Sequence, residues 1–209
     1  MVEVRSYDLE DFSIFYSDKE SDFCIWQPDK TYIILGRSNR IVEDSVHVNK
    51  AIENGVEIYK RPSGGEAVIL TSDTLVISVK LPIDNLIKTH HYFKLINISI
   101  IAALTELGIK QLGNKGISDI SIGIKKILGS SIYRKQKTIF YHAVLNVSEP
   151  IETISMYLKH PKREPDYRRG RDHHEFVTSL KQEGYEFTIG ELINQLNKSI
   201  SRLVSTYTI

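Results

Sequence analysis

Apolar residues along this chain fall into short runs and two longer helical stripes, and these runs predict most of the elements. Phe23-Cys24-Ile25-Trp26 and Thr31-Tyr32-Ile33-Ile34-Leu35 read as two strands, with Gln27-Pro28-Asp29-Lys30 between them as a hairpin turn. Glu43 to Asn54 has helical spacing through Val46, Val48, Ala51 and Ile52, and Asn54-Gly55 closes it. Val56 to Tyr59 and Thr74 to Lys80 are further strand runs. His90 to Leu107 predicts the clearest helix, with Phe93, Ile96, Ile98, Ile100, Ile101, Leu104 and Leu107 in a wide stripe that Gly108 stops. Asn114-Lys115-Gly116 is turn chemistry. Ile117 to Ile122 and Lys125 to Ser131 read as strands divided at Gly123, and Thr138 to Val147 alternates as another. A short helix is expected over Ile151 to Leu158, then an irregular basic stretch from Lys159 to Arg171. The last helix runs through Leu192, Ile193, Leu196, Ile200 and Leu203, with Thr188 as its N-cap. Residues 1–22 are polar-rich and carry no assigned element. Hairpins with helices between and after them predict an α+β fold: a mixed, largely antiparallel sheet flanked by helices, in a single domain over 1–209.

Composition narrows the class. The chain has 209 residues, 41% hydrophobic and 25% charged, with a formal net charge of +1. It is long enough for one large core, and its charge gives no global pull toward nucleic acid or membrane. The lone cysteine, Cys24, excludes an intramolecular disulfide framework and a CxxC zinc site; beside Ile25 and Trp26 it reads as a small core residue. The first residues lack the layout of a signal peptide, and no apolar run approaches the roughly 18 residues of a membrane span. A cytoplasmic protein is expected, without membrane or nucleic-acid partners.

Two stretches carry candidate chemistry. In Arg61-Pro62-Ser63-Gly64-Gly65 the glycines allow close backbone approach, and Arg61 is a forked cation suited to carboxylate or phosphate. A Ser-Gly-Gly hairpin turn with an arginine beside it is the plain alternative. In the second stretch, Ser118-Asp119-Ile120 precedes Lys125-Lys126-Ile127-Leu128-Gly129-Ser130-Ser131. A lysine in an apolar strand is costly to bury unless it meets an anion. Strict alternation would put Lys126, Leu128 and Ser130 on one face, with Gly129-Ser130 giving room and donors beside the amine. The alternative is a surface hairpin with solvated lysines. His142, on the next strand, can come near this pair or be a satisfied half-buried residue. The basic loop 159–171 either docks an acidic partner or closes over phosphates, or is simply solvated. His90-His91 and His173-His174 complete no metal-ligand set, and no metal site is expected. Trp26, Tyr32 and Phe93 read as core.

In this order and spacing, the pieces resemble the catalytic domain of lipoate–protein ligases and octanoyltransferases, related to biotin protein ligases. The matching residues are Gly36-Arg37, Arg61-Pro62-Ser63-Gly64-Gly65-Glu66-Ala67-Val68, Asp119-Ile120 with Lys126-Ile127-Leu128-Gly129-Ser130, His142-Ala143-Val144-Leu145, and Val177-Thr178-Ser179-Leu180. The resemblance implies attachment of lipoate or octanoate to a lysine of a lipoyl-type acceptor protein, through an acyl-adenylate made with ATP and Mg²⁺. It implies Lys126 as the catalytic cation. Arg61, Ser63, Gly64, Gly65, Asp119, Gly129, Ser130 and His142 would hold substrate or adenylate. Transfer from acyl carrier protein or another protein donor, or a non-catalytic lipoyl-binding relative, are the alternatives. Several positions depart from the family pattern. No cysteine lies beyond Cys24, which speaks against a thioester. Glu66 replaces a glycine, and its carboxylate would repel a triphosphate unless turned away or holding a metal. Leu70-Thr71 replaces His-Asp, and Ser118 replaces Asn. The family's first helix is not legible in residues 1–22. The C-terminal domain many ligases carry is not expected within this length, so either activation involves a separate accessory chain or this domain only transfers a preformed adenylate.

Overall fold

The structure, a computed structural model, describes residues 2–84 and 87–207. In chain order the first elements are β1 (Val4–Ser6), a 3₁₀ turn over Glu10–Phe12, α1 (Ser13–Tyr16), β2 (Asp22–Trp26) and β3 (Tyr32–Leu35). A 3₁₀ turn over Val42–Asp44 leads to α2 (Val48–Glu53), β4 (Glu57–Lys60), β5 (Val68–Leu70), β6 (Thr74–Pro82) and α3 (Thr89–Glu106). Then come β7 (Leu112–Lys115), β8 (Asp119–Ile122), β9 (Lys125–Lys135) and β10 (Thr138–Asn146). The chain ends with α4 (Ile151–Tyr157), α5 (His173–Phe176) and α6 (Ile189–Ser205).

Among the described residues the strands make two sheets, not one. Six antiparallel strands run in the order β2-β6-β10-β9-β8-β7, and four run β1-β4-β3-β5 with both parallel and antiparallel pairs. The α+β reading holds, but the expected hairpin over residues 23–35 does not form. Phe23–Trp26 pairs with β6 in the large sheet, while Tyr32–Leu35 pairs with β4 and β5 in the small one. The Pro28-Asp29 link is a crossing between layers. Local turn chemistry lost to the long apolar β6, which takes β2 as its neighbour.

Strands β6 and β10 are buried on both faces, and their alternation sorts the two. Leu75, Ile77, Val79 and Leu81, with Ile139, Tyr141, Ala143 and Leu145, pack against α3 and α6 in the largest core. Helix α3 contributes Tyr92, Ile96, Ile100, Ala103 and Leu104, a stripe narrower than expected, because Ile98 faces out. Helix α6 contributes Leu192, Leu196, Ile200, Leu203 and Val204, and starts at the expected Thr188 with a capping box to Glu191. The predicted Glu43–Asn54 helix is split into a 3₁₀ turn over Val42–Asp44 and α2, with residues 45–47 between them non-helical and Val46 bridging Leu158.

The second face of the large sheet carries the polar residues Ser78, Lys80 and His142, and each has a partner. Lys80 Nζ donates to the Ser17 carbonyl at 2.6 Å, and Ser78 Oγ donates to Asp11 at 2.6 Å. Asp11, with Tyr7 Oη donating at 2.7 Å, is the anchor of the short helical segment Glu10–Tyr16, which the sequence pattern leaves invisible.

Burial outweighs those hydrogen bonds and pushes the Asp11 carboxyl up to about 6. Native Asp11 thus keeps its proton to about pH 6, whereas an unfolded carboxyl loses it near about pH 4. Its contribution to stability therefore falls as pH rises through that window. The unfolding free energy of wild type minus that of Asp11→Asn, from urea titrations, should drop by about 2 kcal/mol between pH 4 and 6. A flat difference would show that the native carboxyl titrates as it does in the unfolded chain, and a rising one that it is ionised throughout.

Candidate active site

After β4 the chain bends around Arg61, which is only 5% exposed. A guanidinium removed from water needs its N–H groups answered. Nη1 donates to the Ile34 carbonyl at 3.2 Å, and Nη2 to those of Gly64 and Glu66 at 2.9 and 2.8 Å. Nε also donates to Gly64, at 3.3 Å. Burial draws its pKa down to about 10, so it stays cationic at neutral pH. The Ser-Gly-Gly turn is folded around this charge. Gly65 closes it at φ +89°, and a methyl on Gly36 would overlap the Gly65 carbonyl oxygen. The polar loop following β3 thus lies backbone to backbone on the turn, with Arg37 N donating to the Ser63 carbonyl at 2.9 Å.

Two contacts fasten the turn to the large sheet. Ser63 Oγ lies 2.6 Å from His142 Nε2, and Ser131 Oγ donates to the Gly64 carbonyl at 2.9 Å. Burial, then the charge of Arg61, holds His142 well below its ordinary pKa, leaving a neutral imidazole.

Lys126 reaches the same region through a β-bulge. Ile120 opposes Leu128 but Ser121 opposes Lys126, so Ile127 is an extra residue on β9. The expected grouping of Lys126 with Leu128 and Ser130 therefore fails. Leu128 and Ser130 oppose Leu145 and Ala143, which face the helices, whereas Gly129 and Ser131 oppose Val144 and His142 on the other side. Lys126 joins the latter. Its Nζ sits where a Gly129 side chain would stand, at 2.6 Å from that absent methyl, and 3.0 Å from Asp119 Oδ1. Asp119 is buried and Lys126 is 28% exposed by side chain, so one end of this ion pair stays open. Ser130 Oγ donates to the Ser118 carbonyl at 2.6 Å.

A cavity of about 570 Å³ lies between the small sheet and this face of the large one. Tyr7, Val68, Leu70, Val76 and Val144 line an apolar part, and Lys126, Asp119 and Gly129 line a polar one. Of the residues singled out in the sequence, Arg61, Gly65, Ser130 and His142 also reach the wall, whereas Ser63 and Gly64 stand a layer behind it. Sequence reasoning missed Ser131, Asn39, Tyr7 and Tyr167. Ser131 ends the lysine-bearing stretch that had drawn notice, and Tyr167 sits in the basic loop, whose residues Lys159, Arg163 and Arg168 form another side of the cavity. That loop is not free in solvent: Lys162 pairs with Asp44 at 2.6 Å, and buried Arg168 lies 4.7 Å from the Phe176 ring centre.

Two of the departures from the family pattern have partners among distant side chains. Glu66 lines the cavity, and its carboxylate accepts from Asn39 Nδ2, in the loop following β3, at 3.1 Å. Thr71 is buried and donates to Glu149, whose backbone N–H in turn donates to Asn146. Cys24 stays off the cavity wall, and burial, with Asp11, Glu10 and Asp22 nearby, pushes its thiol up to about 12.

These elements define a class. The family described as lipoyl protein ligase A/B catalytic domain matches residues 11–201, and the chain belongs to that family. Lipoate-protein ligase A of Psychrobacter cryohalolentis is 30% identical over 139 residues, which are 66% of this chain and 38% of that protein. The match thus spans well under half of this relative. Among solved structures, a bi-partite lipoate protein ligase from Thermoplasma acidophilum, studied with its E2 lipoyl domain, aligns with TM-score 0.79 at 22% identity. That alignment covers 93% of this chain and 76% of the archaeal one. A lipoate-protein ligase A bound with ATP gives 0.78 at 20% identity, over 98% and 85% of the two chains. At such identities the likeness shows the fold.

If the contact of Gly36 with Gly65 shapes the turn, Gly36→Ala should destabilise the protein by roughly 3 kcal/mol in chemical denaturation, since backbone must move on both sides. Gly64→Ala, with open space around its Cβ, should cost about 1 kcal/mol or less. Equal costs would refute the packing argument.

Proposed function

We propose that this chain attaches lipoate, or octanoate, to a lysine of a lipoyl-type acceptor protein by way of an acyl-adenylate. The observation that carries the reading is the meeting of Lys126 and the Arg61-braced turn on one cavity that also has an apolar arm. In this reading the acyl chain lies along Tyr7, Val68, Leu70, Val76 and Val144, and its carboxylate comes up beside Lys126. A carboxylate oxygen attacks the α-phosphorus of ATP, and pyrophosphate leaves. The acceptor amine then attacks the acyl carbonyl, an amide forms, a proton is released and AMP departs.

The chain's part is placement and charge. Asp119 takes one donor direction of the Lys126 ammonium and leaves the others for phosphate or carbonyl oxygen. A cation fixed in a partly dry site opposes the negative charge that grows there. Arg61 acts from behind, since its N–H groups hold the main chain of the turn. Magnesium arriving with the triphosphate would add charge neutralisation, its oxygens coming mainly from the phosphates. The high thiol pKa of Cys24 and its position off the wall support the adenylating route over a thioester route from an acyl carrier protein. The bi-partite archaeal relative supports assaying the chain both alone and with an accessory chain, and its lipoyl domain supports the same class of acceptor here.

The assay is ATP–pyrophosphate exchange dependent on lipoate or octanoate, followed by mass spectrometry of a lipoyl domain incubated with ATP and each acid. Exchange is expected, and Lys126→Ala should lower it by about 10²- to 10³-fold. Absence of exchange with and without an accessory chain, or full activity in Lys126→Ala, would reject the reading. Acyl transfer from acyl carrier protein without ATP would select the transferase instead.

A further inference from the structure

Tyr167 belongs to the basic loop, yet its hydroxyl points back to Asp119, a residue of the cavity's polar wall. It donates to Asp119 Oδ2 at 2.8 Å, while Lys126 Nζ lies 3.0 Å from Oδ1 and Ser118 Oγ donates to Oδ1 at 3.3 Å. One buried carboxylate thus holds both the strand lysine and a hydroxyl delivered by a loop remote in sequence. The phenol is itself well fixed. Its ring packs on Phe176 at 5.1 Å between centres, and a methyl at Gly116 would lie 3.6 Å from its edge. Arg171 Nη2 donates to the Tyr167 carbonyl at 2.9 Å, and the same guanidinium also donates to the carbonyl of Ile124, in the β8–β9 turn. Burial and the charge of Asp119 raise the Tyr167 pKa well above the ordinary phenol range, so the group is a donor and not a base.

The geometry points to Tyr167 as a positioning residue for Lys126, acting through Asp119, so that the seating of the loop over the cavity sets where the ammonium stands. This rests on the reading of Lys126 given above. With the hydroxyl in place, Asp119 is held at Oδ2 by Tyr167 and at Oδ1 by Lys126 and Ser118, and its charge is divided among them. Without it, the carboxylate is free to turn toward Lys126, and the ammonium is drawn from the open side of the pair, where a phosphate or carbonyl oxygen would meet it. A purely structural tyrosine would instead act through its ring, which Phe preserves.

The test is a double-mutant cycle read by calorimetric affinity for octanoyl-sulfamoyl adenosine, an unreactive mimic of the acyl-adenylate, so that turnover is not required. Tyr167→Phe should weaken binding roughly 5- to 20-fold in the wild-type background and by less than about 2-fold when combined with Lys126→Ala. A second arm uses Asp119→Asn, in which Tyr167→Phe should likewise add nothing. Equal weakening in all backgrounds, or none in the wild type, overturns the proposal while leaving the role of Lys126 intact. Unchanged affinity in Lys126→Ala alone removes the underlying reading, and the proposal with it.

Discussion

A guanidinium buried between two sheets is the constraint from which the site follows. Arg61 cannot remain charged there unless main-chain carbonyls come to it, and those of Ile34, Gly64 and Glu66 do. Gathering them forces the Ser-Gly-Gly bend and brings Gly65 onto Gly36. The bend is then close enough to the large sheet for Ser131 and His142 to hold it. The cavity is the space left beside that junction. Its apolar part comes from residues that alternation had already turned away from the helices, such as Val76 and Val144.

The second constraint is the bulge at Ile127. A regular strand would have sent the Lys126 amine to the side where Leu128 and Ser130 go. The extra residue keeps Ile127 and Leu128 in the main core and still delivers Lys126 to the cavity. Gly129 then gives up the volume the ammonium occupies. Asp119, at the start of the neighbouring strand, neutralises the amine enough to make its partial burial tolerable. Thr178 N donates to the Lys126 carbonyl at 2.9 Å, so the Val177-Thr178-Ser179-Leu180 segment secures the same residue from its backbone.

Several positions depart from the family pattern, and the Glu66 carboxylate would repel a triphosphate unless turned away or holding a metal. Two of them have side-chain partners: Glu66, which still lines the cavity, with Asn39, and Thr71 with Glu149. The side chains that answer them lie far off in sequence. A motif comparison registers the replacement and is blind to the compensation.

Much was legible before any coordinates. The amphipathic stripe through Leu192 to Leu203, its Thr188 cap, the long strands around Val76 and Tyr141, and the glycine-rich and lysine-bearing segments all show in local pattern, because period and capping depend on near neighbours. The assignment of strands to two sheets, the loss of the hairpin over residues 23–35, the face that Lys126 takes, and the convergence of Tyr167 on Asp119 were decided only by tertiary structure. These depend on which distant strand offers the better apolar partner, on one unpaired residue in a ladder, and on buried charges needing answers from remote parts of the chain. None of those conditions is written in the residues next door.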